Sequence, residues 1–312
     1  MFDRRLLTHF DWVLLFLVCL LTGVGILNLY SATSSWSQAA TPVYVKQFYW
    51  LGIGLAIAIS ISLFDYRKLE YFATPLYVLN VLLLLAVLVI GKTSMGATRW
   101  LNLGFFNLQP SEIMKIVIII VMARYFSIKD QVFGYNMKEL GIPFALLGVP
   151  VLLIMKQPDL GTSMLVIFIA GTMALFAGIQ RRTLIALELM ALAAAGGGWF
   201  LLHGYQKRRI MTFIDPERDP LGAGYHIIQS KIAVGSGGLF GKGFMEGTQS
   251  QLSFLPERHT DFAFSVFAEE WGFAGCLILL LLYLLLVTWG IYTAQRASDL
   301  FGMYLALGVS AM

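Results

Sequence analysis

Asp261, Ser265 and Glu269 are spaced i, i+4 and i+8, at the end of the stretch Phe254-Leu255-Pro256-Glu257-Arg258-His259-Thr260-Asp261-Phe262-Ala263-Phe264 and just beyond it. If a helix runs from here, the three share one face. A carboxylate at the edge of an apolar segment is costly unless it meets water, a partner or a substrate. Asp261 is therefore a candidate to move a proton, with a helix N-cap as the competing reading. Glu269 and Glu270 lie deeper, and at least one needs a buried partner, which Glu112 or Lys115 is available to supply.

A second acidic position follows the same logic. In Lys156-Gln157-Pro158-Asp159-Leu160-Gly161-Thr162, Asp159 follows a proline-limited turn and reads either as an N-cap or as a functional carboxylate. Two carboxylates on one membrane face, Asp261 and Asp159, with basic residues around them, suit a divalent cation or proton handling. Gly96-Ala97-Thr98-Arg99-Trp100 leads on to Gln109-Pro110-Ser111-Glu112 and Lys115. Trp100 suits an interfacial anchor, and Glu112 with Lys115, three apart, suits an internal ion pair.

Other motifs are weaker. The glycine-rich run from Gly235 to Gly243 fails as a P-loop, because Ser236 stands where the first glycine belongs and Gly243 follows Lys242 where Ser or Thr is required. Its glycines suit tight turns that let amides approach a phosphate or a membrane surface. His9, His203, His226 and His259 show no metal-ligand spacing. Neither a nucleophile elbow, nor a paired-cysteine zinc motif, nor a nucleic-acid module is present.

These residues must be positioned by membrane-embedded helices. Of 312 residues, 58% are hydrophobic and 13% charged, against about 25% charged in soluble domains. The mean hydropathy is +0.75. Nine apolar segments are expected, near 12–31, 47–64, 75–91, 110–127, 141–155, 160–179, 183–202, 262–293 and 300–312. The eighth is long enough to begin outside the hydrocarbon, and the ninth ends at Met312 within an apolar run. The expected architecture is an all-α polytopic bundle forming one membrane domain over 1–312, with one long connection at 203–261. Cys19 and Cys276 lie inside spans and suggest no disulfide framework. Arg4 and Arg5 precede a long apolar run without a cleavage site, which speaks against a cleaved signal.

Basic residues set the expected orientation. With the N-terminus in the cytoplasm, Arg4, Arg5, Arg67, Lys68, Arg124, Lys129, Lys138, Arg181, Arg182 and Arg296 lie inside. The short outer loops then carry only Lys46, Lys92, Arg99 and Lys156. The long outer connection holds Lys207, Arg208, Arg209, Arg218, Lys231, Lys242 and Arg258, which fits an outer face that meets something anionic.

Together these stretches resemble the SEDS family (shape, elongation, division and sporulation proteins), most closely its RodA branch. The resemblance rests on Gly96 to Trp100, Gln109 to Glu112 with Lys115, Lys156 to Thr162, Asp215 to Gly247 and Phe254 to Gly272. It implies a peptidoglycan glycosyltransferase that polymerises lipid II at the outer leaflet of a bacterial inner membrane, beside a class B penicillin-binding protein. It also implies ten spans, of which the tenth, with its Ser-Tyr-Gly-Gly type segment, is missing here. Asp261 matches the family's essential carboxylate, and Asp159 belongs to its functional cavity.

On that resemblance, Asp261 is expected to act as the general base. Cations for the departing diphosphate are sought among Arg99, Lys115, Lys156, Arg208, Arg209 and Arg258, with Trp100, Glu112, Asp159, His259 and Ser265 completing the substrate contacts. Mg2+ or Mn2+ at Asp261 and Asp159 is a possible cofactor, and no nucleotide is needed because the donor is already activated. The rival readings are a lipid II flippase and a structural scaffold for the penicillin-binding partner. Transporters gather ionisable groups near the midplane between inverted repeats, and the sequence shows no such repeat.

Overall fold

The computed structural model describes residues 10–34, 42–94, 97–102, 104, 107–129, 131, 133–201, 204–219, 222–251 and 259–312. Every expected apolar segment is a helix. These are α1 (Trp12–Thr33), α2 (Val43–Ser62), α3 (Lys68–Ile90), α4 (Pro110–Ile128), α5 (Gly141–Lys156), α6 (Leu160–Ala177), α7 (Arg181–Leu201), α11 (Ala263–Gln295) and α12 (Leu300–Ala311). The long connection carries α8 (Gly204–Ile214), α9 (Ala223–Ser236) and the single turn α10 (Thr248–Gln251). Five helices, α1, α2, α3, α6 and α11, are long and apolar enough to cross a membrane by length and composition alone, while α5 and α12 are shorter apolar helices. The protein is an all-α, multi-pass membrane bundle with one small sheet. That sheet joins β1 (Lys92–Ser94), β2 (Ala97–Asn102) and β3 (Asn107–Leu108) as an antiparallel meander, pairing Lys92 with Trp100 and Leu101 with Leu108.

Local chemistry sets several helix starts. Asp11 caps α1 by accepting from the Leu14 amide at 3.0 Å. Pro110 opens α4, where its missing N–H removes no helical bond. Asp159 caps α6 and Asp299 caps α12.

Backbone contacts divide the chain into two compact units. One comprises Phe64–Ala193 with Val287–Met312. Its core is α4, packed on α3, α6 and α12, with Met114, Ile118, Ile119, Met122, Ala123 and Phe126 almost wholly inaccessible. In lipid this close fit works through van der Waals contact rather than release of water. The other unit comprises Met1–Leu63 with Ala194–Leu286. There α2 buries none of its residues, as a lipid-facing helix should.

α11 has 33 residues, or ~50 Å at 1.5 Å per residue against a hydrocarbon core of ~30 Å. It is broken at Gly272, where φ is 63° and ψ −164°. The stretch before the break carries the buried polar side chains Ser265, Glu269 and Glu270, and the stretch after it is continuously apolar to the middle of the helix. The segment does begin as a separate piece, as its length led us to expect.

Candidate active site

In the α4-centred unit, three of the sequence motifs converge on Asp159. Its Oδ2 accepts from the Thr162 hydroxyl at 2.9 Å and from Gln109 Nε2 at 3.3 Å, and its Oδ1 accepts from the Thr162 amide at 3.4 Å. Arg99 Nε stands 3.8 Å from Oδ2, an ion pair too long for a hydrogen bond, while its Nη2 donates to the Pro158 carbonyl. The carboxylate is 5% exposed. The N-cap reading of Asp159 therefore holds, and the same carboxylate is a buried anion facing a cation. The meander places Arg99 there by folding β2 back over the start of α6. A third of the Arg99 side chain remains accessible (32%), so its charge also reaches outward.

Glu112 and Lys115 form the expected pair at 2.8 Å, with Lys115 largely buried and Glu112 half exposed. Neither serves Glu269 among the described contacts, which corrects the sequence expectation. Trp100 is half-buried in β2, and Lys156 is exposed in the last turn of α5.

In the other unit, Asp261 lies in a turn before α11 rather than on it, so the expected common helical face does not form. The start of α11 at Ala263 leaves the carboxylate ahead of the first helical turn. Asp261 is exposed, and no hydrogen bond or ion pair holds its side chain among the described residues. His259, two residues earlier, is half-buried. Ser265 is 3% exposed, and its hydroxyl shares a 2.7 Å hydrogen bond with Ser230 of α9, so it joins two helices.

The two glutamates are both buried and both partnered. Glu269 Oε1 accepts from Lys242 Nζ at 2.7 Å, from the Gln249 amide at 3.1 Å and from the Thr248 hydroxyl at 3.2 Å. Glu270 accepts a short hydrogen bond from Ser31 of α1. Lys242 was visible in the sequence as part of a failed phosphate motif and as one basic residue of the long connection, and Ser31 lay unnoticed inside an apolar run.

The break at Gly272 completes this arrangement. The carbonyls of Glu269 and Glu270 accept from the amides of Lys242 and Gly243 at 3.0 and 3.1 Å. The amides of Phe273 and Ala274 donate to the carbonyls of Gly238 and Leu239 at 2.9 and 3.0 Å. A Cβ on Gly272 would lie 2.3 Å from the Gly241 nitrogen, so only glycine admits this approach.

Arg208 is exposed on α8, whereas the Arg209 side chain and Arg258 lie outside the described residues. Among the described residues, no group of three or more His, Cys, Asp or Glu is placed to hold a metal ion.

Comparison with known proteins gives a consistent answer. The FtsW, RodA and SpoVE family profile, described as cell cycle protein, matches residues 11–312. The peptidoglycan glycosyltransferase MrdB of Escherichia coli strain K12 is 46% identical over 287 residues, spanning 91% of this chain and 77% of its own. The peptidoglycan glycosyltransferase RodA of Treponema pallidum strain Nichols is 31% identical over 386 residues, spanning 99% of this chain and 88% of its own. Among solved structures, a chain from a study of how a peptidoglycan synthase complex coordinates polymerization and crosslinking superposes with a TM-score of 0.79 at 32% identity, covering 97% of this chain and 83% of that one. The crystal structure of Thermus thermophilus RodA superposes with a TM-score of 0.67 at 30% identity, covering 97% and 81%.

Proposed function

Because this chain belongs to the FtsW, RodA and SpoVE family, we propose that it is a peptidoglycan glycosyltransferase that polymerises lipid II into β-1,4 glycan strands during cell elongation. The single observation that carries the assignment of the base is the accessible carboxylate of Asp261, which no side-chain hydrogen bond or ion pair holds among the described residues. The other acidic candidates singled out in the sequence have protein partners. Asp159 is capped and paired, Glu112 is bonded to Lys115, and Glu269 and Glu270 are sealed under α9, α10 and α1.

The chemistry needs only one free base. The 4-hydroxyl of the acceptor N-acetylglucosamine attacks the anomeric carbon of the donor, and the new O–C bond forms as the C–O bond to diphosphate breaks. The hydroxyl proton passes to Asp261, and undecaprenyl diphosphate departs as an anion that needs no protonation. Attack from the opposite face inverts the centre, without a glycosyl-enzyme intermediate. A positioned base of this kind contributes ~10²–10⁴-fold. The developing diphosphate charge calls for preplaced cations, for which exposed Arg208, in the unit that carries Asp261, is suited.

Asp159 fits poorly as a metal ligand, since protein donors already occupy both its oxygens, and Asp261 alone offers one carboxylate. No step here runs through a cation. The basic-residue bias supports a multi-pass location in the bacterial inner membrane, with the N-terminus cytoplasmic and Asp261 outside. A class B penicillin-binding protein is the proposed partner, in line with the polymerizing and crosslinking complex whose chain this one resembles. The flippase reading has less support, because the similar relatives carry transferase names.

Asp261→Asn should keep the thermal melt of the wild type yet lose at least about a hundredfold in polymer formation from purified lipid II in detergent. A folded variant with full polymerisation would remove Asp261 from the reaction. Detergent also separates the flippase, which has no task without two leaflets.

A further inference from the structure

Two adjoining cavities lie between α1 and α11 inside the unit that carries Asp261. The larger of these two, ≈ 520 Å³, is bounded by α1, the first turns of α2 and α11, and extends from His259, ahead of α11, to Tyr283 within it. That volume falls within the range of small-molecule sites, about 300–1,000 Å³. Its polar residues include Asn28, Gln47 and His259, and the rest of the lining is mainly aliphatic and aromatic. The smaller, ≈ 170 Å³, is apolar apart from Asn28 and the Trp271 indole. Val24, Asn28, Phe267 and Leu279 line both, so the two adjoin.

Asn28 is the polar residue at this junction. It is 8% exposed, and its Nδ2 donates to the Ala263 carbonyl at 2.9 Å, two residues from Asp261. Its Oδ1 is buried with no hydrogen-bond partner among the described residues. A buried acceptor left unmade costs about 1–3 kcal/mol, so this one calls for a donor from outside the chain. The same wall that begins beside the proposed base is therefore polar at its head and hydrocarbon along its length. That is the shape of an amphiphile.

We propose that the two cavities hold the start of the polyprenyl chain of the lipid-linked saccharide, with Asn28 accepting a hydrogen bond from a hydroxyl or amide N–H of its headgroup. This rests on the glycosyltransferase reading and adds the seat of the substrate's lipid end. Occupancy by bulk phospholipid is the alternative that the test must exclude.

Gly25 gives the means, because it lines the larger cavity and a Cβ there meets nothing within 4 Å. Gly25→Leu should fill the cavity without pressing on the protein. With undecaprenyl lipid II it should raise KM about tenfold while leaving kcat near wild type, the pattern of lost uniform binding. With a lipid II analogue in which the isoprenoid is replaced by a methyl group, wild type and variant should be alike. Wild-type KM for Gly25→Leu on the undecaprenyl substrate, or an equal defect on the analogue without the isoprenoid, would overturn the proposal.

A binding measurement keeps the proposal testable if that variant fails to fold. A polyprenyl diphosphate with a diazirine in its first isoprene units should label α1 and α11 of the unaltered chain. Unlabelled lipid II should compete and phosphatidylglycerol should not. Labelling confined to other helices, or equal competition by phosphatidylglycerol, would defeat the site. Repeating the labelling on Asp261→Asn separates the two ideas, since binding there should persist whatever becomes of catalysis.

Discussion

The Asp159 side chain caps α6 through Thr162 and also faces the Arg99 guanidinium, so substitutions can separate the cap from the charge. Asp159→Asn keeps a good capping residue and should leave stability nearly unchanged, whereas Asp159→Ala should cost about 1 kcal/mol of it. Both remove the anion that holds Arg99, so both should slow lipid II polymerisation to a similar degree, as read from thermal melts beside initial rates. At the other end of the same unit, Asp299 caps α12 while accepting from the Tyr66 hydroxyl at 2.6 Å, the Gly302 amide at 2.7 Å and Arg67 Nε at 3.1 Å. Burial pushes its carboxyl up, but the hydrogen bonds from Tyr66, Gly302 and Arg67, with the Arg67 charge, outweigh it and hold the group below its ordinary value. A depressed native value means that the stabilisation is complete above the unfolded pKa of about 3.9 and drains away as the pH falls through the native one. The Tm advantage of wild type over Asp299→Asn should therefore be full at neutral pH and shrink only in strong acid. An advantage that grew on acidification would contradict this sign.

Among the elements, α11 shows what local sequence can and cannot disclose. Its apolar length was legible, because hydropathy records it. Nothing in Glu269-Glu270-Trp271-Gly272 announces that a loop 30 residues upstream lies against the break, since that contact depends on tertiary approach and on a glycine that looks ordinary in a run of small and apolar residues. The same limit misdirected the search for a partner to Glu269 toward Lys115, when Lys242 supplies it. Gly272→Ala would place a Cβ 2.3 Å from the Gly241 nitrogen on a backbone that is nearly exclusive to glycine. It should destabilise by about 3 kcal/mol or more. Lys242→Met should cost about 3 kcal/mol or more, because it leaves the buried Glu269 carboxylate without its cation. Chemical or thermal unfolding in detergent measures both, and wild-type stability for Gly272→Ala would refute the account of the break.

At the level of the whole molecule, the apolar segments were readable from hydropathy, which responds to the bilayer alone, and the basic residues supply the proposed orientation. The meander over 92–108 and the helices within the long connection were not, because short strands and amphipathic turns carry weak periodic signals. The contacts within the α4-centred unit respect the proposed orientation. Asp299 joins the starts of α3 and α12 at one end, and Asp159 joins the starts of α4 and α6 with Arg99 at the other. Once Cys19 and Cys276 are replaced, a membrane-impermeant thiol reagent applied outside spheroplasts should label Lys156→Cys and spare Arg296→Cys. The reverse pattern would invert the topology. Four peptide hydrogen bonds lace residues 238–243 to residues 269–274. Parting them strands backbone donors and acceptors that an apolar surrounding cannot solvate. Any force delivered to residues 238–243 must therefore reach α11 as a whole, like torque through a keyed coupling.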